Sequence, residues 1–138
     1  MGNSDIHRKL HGMFNDRDFD AMDGHLAARF TYEDVPRGWT LRNTEEFKGW
    51  LQGWVTAFPD ARIDEDQFRE GTDFSVATFH GKGRNDGPFG STSPTGREMN
   101  VRYCEVMHIG TDGLVDSTRI YYDLATLLTQ LGLLELPE

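Results

Sequence analysis

Residues 44–58 carry Phe47, Trp50, Leu51, Trp54, Val55 and Phe58 at i, i+3, i+4, i+7, i+8 and i+11, the spacing that lines apolar side chains along one stripe of an α-helix. Asn43 or Thr44 can cap this helix, Glu46 can close a capping box on Asn43, and Pro59 stops it. Two tryptophans and two phenylalanines on one face represent several kcal/mol of apolar transfer, at about 25 cal/mol per Å². Such a helix has to press on a second layer. The sequence after it supplies one: four alternating stretches at 61–70, 74–83, 98–109 and 114–122 read as strands. They are separated by Gly71-Thr72-Asp73, a Gly-, Ser- and Pro-rich loop over 84–96, and Gly110-Thr111-Asp112-Gly113.

Upstream, Ile6, Leu10, Met13 and Phe14 predict an amphipathic helix over about 3–15, capped by Asn3 or Ser4. Phe19, Met22, Leu26 and Ala27 suggest a shorter helix capped near Asp18, followed by a strand over 30–35 and a turn at Pro36-Arg37-Gly38. Leu124, Leu127, Leu128 and Leu131 form a closing helix ended by Gly132. Helices first, then an antiparallel sheet with one helix laid across it, describe an α+β cone. At 138 residues it is expected to be one domain over 1–138. The 84–96 loop is longer than ordinary connections, so it reads either as a lid or partner-binding segment or as a hairpin tip.

A net charge of −9 disfavours a nucleic-acid backbone or an anionic membrane surface as partner. A small, neutral or weakly polar molecule, or a second copy of the chain, suits this surface better. The lone Cys104 excludes an internal disulfide and a cysteine-based zinc cluster. The first residues lack a basic stretch followed by an apolar run, so a cytoplasmic location is expected.

Several motifs occur in a recognisable order. They are Tyr32-Glu33-Asp34, the aromatic helix ending Ala57-Phe58-Pro59-Asp60-Ala61, Pro94-Thr95-Gly96-Arg97, Arg119-Ile120-Tyr121-Tyr122-Asp123, and Gln130-Leu131-Gly132. This order resembles the SnoaL-like polyketide cyclases of the nuclear-transport-factor-2-like superfamily. The resemblance implies a curved mixed or antiparallel sheet with the long helix in its concave side, an internal pocket, a homodimer and no cofactor. It also implies an acid/base aspartate three residues before the aspartate that opens the last helix. Here that position is Ile120, which has no proton to transfer.

Asp34 is the leading replacement base. It resembles the carboxylate of the Glu-Asp-Pro segment in ketosteroid isomerases, and tryptophan walls would raise its pKa by desolvation. The other reading makes it a turn cap or a partner of Arg37 or Arg42. Trp39, Trp50, Trp54, Val106, Thr118, Ile120 and Tyr122 are expected to line the pocket. His80 is a second acid/base candidate, or a satisfied core or interface histidine.

A three-residue turn with Gly113 left-handed sets Glu105 opposite Arg119, whereas a two-residue Asp112-Gly113 turn sets it beside Ile120. The first register pairs opposite charges and is preferred. It makes Glu105 a structural ion pair, or else half of a catalytic Glu–Arg pair. It also leaves Val101, Tyr103, Met107, Val115 and Tyr121 on an outer, dimerising face. His7 and His11 share a helix face without an evident third ligand, so no metal is expected. Asp64-Glu65-Asp66 reads as a solvated strand edge. The expected function is binding of a small hydrophobic or polyketide-like molecule with cofactor-free cyclase or isomerase chemistry. The alternative is a non-catalytic ligand-binding or dimerisation module.

Overall fold

The structure, a computed structural model, describes residues 2–138. Its elements are α1 (Asn3–Asn15), β1 (Leu26–Asp34), β2 (Trp39–Leu41), α2 (Thr44–Ala57), β3 (Arg62–Glu70), β4 (Phe74–Arg84), β5 (Glu98–Ile109), β6 (Val115–Tyr122) and α3 (Leu124–Gln130). The strands form one curved six-stranded sheet in the order β2-β1-β6-β5-β4-β3. All neighbours are antiparallel except β1 and β6, which run parallel. The fold is therefore mixed α+β. No helix among the described residues is long and apolar enough to cross a membrane.

The aromatic stripe of α2 faces the sheet as its spacing demands. Phe47 stacks on Tyr32 with ring centroids 4.6 Å apart, and Trp54 meets Tyr103 and Tyr122 edge-on at 6.1 and 5.8 Å. Phe58, Leu127 and Leu131 are buried in the same core. Asn43 caps α2 by accepting from the Glu46 amide, while the Glu46 carboxylate accepts from the Arg42 amide and not from Asn43. At α1 the cap is Gly2, whose amide donates to Asp5. Beside α2, on the same concave face, α1 lies over β3 and β4, where His7 and His11 contact Phe68 and Phe79.

One local expectation is corrected, and two features are new. The stretch expected as a second helix is a 3-10 segment, Asp20–His25, and Leu26 and Ala27 already belong to β1. Trp39 sits on a short edge strand that the sequence did not announce. The 85–96 segment is anchored. Buried Asn85 donates to the carbonyls of Ala57 and Gly87 and accepts from the Thr95 amide and hydroxyl. Gly87 lies so close to the end of α2 that a Cβ there would stand 1.8 Å from the Thr56 carbonyl oxygen. Phe89 then closes against Trp54 and Phe58 at 5.7 and 5.9 Å.

The consequential correction concerns the β5–β6 hairpin. Its tip follows the preferred turn, with Gly113 at φ +78° and Ile109 opposite Val115. The next pair, however, is His108 with Ser117, so Asp116 is an extra residue on β6. A β-bulge of this kind shifts the register by one, and a shift of one turns the paired residues over. Beyond the bulge, Glu105 pairs with Ile120 and Val106 with Arg119. Val101, Tyr103 and Met107 therefore face the core, and Val115 is buried with them. Of the expected outer set only Tyr121 is exposed; Arg119 instead pairs with Glu33.

Candidate functional site

The concave face encloses a cavity of about 90 Å³. Its wall is almost wholly apolar, built from α1, α2 and the inward residues of the sheet, among them Leu10, Phe30, Phe47, Leu51, Met99 and Met107. Trp50, Trp54, Thr118 and Ile120 lie in this wall. Tyr122 faces inward beside it but is not part of it. Val106 is 37% exposed on the opposite face of β5, turned there by the bulge, and Trp39 is 50% exposed with the Arg37 guanidinium 4.0 Å over its ring. His80 also faces outward on β4, where Nδ1 lies 2.9 Å from Asn100 Oδ1.

Ile120 stands between two carboxylates. In β1 its parallel partner is Asp34, and in β5 its antiparallel partner is Glu105. Asp34 is fully buried outside the cavity wall. It accepts from Arg37 Nε at 2.7 Å, Trp50 Nε1 at 3.0 Å and the Tyr122 hydroxyl at 2.9 Å. These donors occupy both oxygens, so Asp34 ties the β1–β2 turn to α2 and β6. Burial, then the Asp34 charge, raises the Tyr122 hydroxyl well above the usual phenol range despite the opposing Arg37, which keeps it a neutral donor.

Glu105 does reach the cavity, at 8% exposure. Oε1 lies 2.8 Å from His7 Nε2 and 3.0 Å from His11 Nε2, and Oε2 accepts from the Tyr32 hydroxyl at 2.5 Å. The outer imidazole nitrogens are held as well, His7 Nδ1 2.8 Å from Ser75 Oγ and His11 Nδ1 3.1 Å from Asp66 Oδ2. The i, i+4 spacing on α1 brings both rings to one carboxylate. Burial pushes Glu105 upward, but the bonds from His11 and His7 outweigh it and hold the carboxyl well below its usual range. For His11, burial lowers the pKa, and the bonds to Asp66 and Glu105 carry it above the ordinary imidazole value. Both His11 nitrogens face carboxylates, so the imidazolium form donates from each. Burial, then the Glu105 charge and hydrogen bond, raises the Tyr32 hydroxyl far above ordinary phenols. Asp66, only partly buried, is lowered by its bond to His11.

Glu105 is thus the third group that the sequence did not place beside His7 and His11. Their ligating atoms lie within 4.8 Å of one another and could hold a metal ion. The same atoms are already engaged in the hydrogen bonds above, and the cluster is complete as a proton-carrying network. Asp66, expected to be solvated, is the outer end of that network. The signal that could have found it was the pair of histidines one turn apart. What hid it was the hairpin register.

Two polar atoms of the wall stand apart. Trp54 Nε1 and Thr118 Oγ1 are buried with no hydrogen-bond partner in the protein. By contrast, Trp50 Nε1 is paired with Asp34, and the Tyr103 hydroxyl donates to Met99 Sδ at 3.2 Å.

Comparison with known proteins is consistent with this architecture. The family model of the SnoaL-like polyketide cyclases matches residues 4–131. No curated protein matches the chain. Among solved structures, IdmH from Streptomyces antibioticus, a proposed polyketide cyclase, superposes with a TM-score of 0.83 at 21% identity, covering 96% of this chain and 99% of its own. AclR from Streptomyces galilaeus, a proposed hydroxylase, gives 0.83 at 18% identity, covering 99% and 85%. A ketosteroid isomerase-like protein from Catenulispora acidiphila, crystallised with trimethylamine, gives 0.79 at 19% identity, covering 93% and 92%.

Proposed function

The chain belongs to the SnoaL-like polyketide cyclase family, and from that premise we propose that it binds a small hydrophobic molecule in the concave cavity and acts on it by cofactor-free acid/base chemistry of the cyclase or isomerase kind. One observation carries this reading: the buried His11–Glu105 pair lies in the wall of a cavity whose surface is mostly apolar, one strand over from Ile120. The family's carboxyl function is moved sideways, not lost. Glu105 alone, held so low, is a weak base, so the pair titrates as a unit. The pair takes the α-proton from carbon through the Glu105 carboxylate, leaving the enolate, and returns a proton to the same carbon from protonated His11, with partly exposed Asp66 as its route to solvent. Asp34 anchors the wall in this reading and takes no proton.

Deuterium exchange tests it. Cyclopentanone in D2O at pH 7 should exchange its α-protons faster with the protein than with buffer. His11→Gln should lower that acceleration by about 10²-fold or more. Exchange at the buffer rate while NMR shows the ketone bound would sink the acid/base claim and leave the binding module.

The remaining expectations accompany this reading: one domain over 1–138, a cytoplasmic location and a homodimer. The outer sheet face, with Phe74, Val106 and Tyr121 exposed, supports the dimer in place of the apolar set expected from the sequence.

A further inference from the structure

We infer that the cavity selects a neutral ligand carrying a hydrogen-bond-accepting oxygen, in its simplest form a small cyclic ketone, held by Trp54 Nε1 and Thr118 Oγ1. This rests on the cavity being a ligand site, and it adds what the ligand must present. Buried polar groups are nearly always paired, and an unpaired one carries a desolvation cost. Among the described residues only two buried side-chain atoms lack a partner, and both belong to the wall of the same cavity. Trp54 is 7% exposed and Thr118 2%, so water at the surface does not serve them. They come from different layers, α2 and β6, and both line the cavity.

Their chemistry sets the ligand class. An indole N–H only donates, so the ligand must accept; a threonine hydroxyl can donate to an acceptor too. A cation offers Trp54 nothing to donate to. The wall also holds Arg62, Lys82 and His11 beside the carboxylate of Glu105, but Lys82 is paired with Asp64 and Glu65 and His11 with Glu105 and Asp66, so an anion would have to displace carboxylates already in place. A neutral carbonyl meets every requirement. Size adds a limit. A cavity of roughly 150 Å³ holds benzene, and cyclopentanone has as many heavy atoms, so at about 90 Å³ the wall has to give slightly to admit even a single ring. A polycyclic ligand would need the wall to open.

The test compares cyclopentanone with methylenecyclopentane, which keeps the shape and replaces the carbonyl oxygen by CH2. Both are titrated into 15N-labelled protein, with the Trp54 indole resonance identified by its loss in Trp54→Phe. The ketone should bind about tenfold more tightly and move that resonance downfield, while the alkene should leave it near its free position. Trp54→Phe should erase most of the preference. Thr118→Val, nearly the same shape, should reduce it and keeps the test decisive if the tryptophan variant fails to fold. Equal affinities, or a preference that survives both substitutions, overturn the inference while the cavity remains a ligand site. Binding of neither compound overturns the cavity reading and this inference with it.

Discussion

Glu105→Gln distinguishes the buried network from the surface ion pair that the sequence suggested. The substitution keeps the shape of the side chain and removes its charge. Three donors meet the carboxylate: His7, His11 and Tyr32. A hydrogen bond to a charged group contributes about 1.5–3 kcal/mol and a neutral one about 0.5–1.5, so each contact weakens by roughly 1 kcal/mol. The amide N–H2 also has to face one of those donors. The total is about 3–4 kcal/mol, in line with the cost of removing one partner from a buried charged pair. A surface pair with Arg119 would cost under about 1 kcal/mol. The loss should depend on pH. His11 has a folded-state pKa above its ordinary 6.5, so its charge-dependent stabilisation is complete below that value and disappears as pH rises through the raised one. Urea denaturation followed by circular dichroism should therefore give the larger loss at pH 6 and a smaller one at pH 9. A loss below about 1 kcal/mol at pH 6, or one identical at both pH values, would refute the buried-network argument.

The wild-type protein should be most stable between about pH 4.5 and 6.5. Glu105 and Asp66 are lowered in the folded state and lose their contribution as pH falls, while His11 loses its own as pH rises; a melting temperature that climbs steadily from pH 6 to 9 would contradict this. Asp34→Asn should cost about 2–4 kcal/mol, because it leaves Arg37 without its buried counter-charge; a denaturation midpoint unchanged from wild type would make Asp34 a free carboxylate after all. Gly87→Ala should destabilise by about 2 kcal/mol or more, since the Thr56 backbone occupies the space its Cβ needs, and a neutral result in thermal melts would mean that the loop is not held to α2. Light scattering at micromolar concentration should give twice the 15.7 kDa chain mass, and a monomer would remove the dimer.

The elements and the family could be read along the chain. Periodicity in α1, α2 and β3 to β6 is a local property, written in which residues are apolar and how far apart they stand. The observed bounds of α1 and β5 coincide with those expected from spacing. The motifs from Tyr32-Glu33-Asp34 to Gln130-Leu131-Gly132 carried the resemblance over the span that the family model matches. Spacing failed where hydrophobicity was ambiguous, as at Leu26 and Ala27, which pair into the sheet and do not continue the 3-10 segment.

The site depends on contacts between distant parts of the chain. Its polar end joins His7 and His11 to a carboxylate 98 and 94 residues away, a distance across which no local pattern reports. The decision rests on one residue, Asp116, whose bulge shifts β6 against β5. Opposite charges favoured pairing Glu105 with Arg119 by at most about 1 kcal/mol. Burying Val101, Tyr103 and Met107 in the core is worth several times that, so apolar burial set the register and carried Glu105 inward with its neighbours.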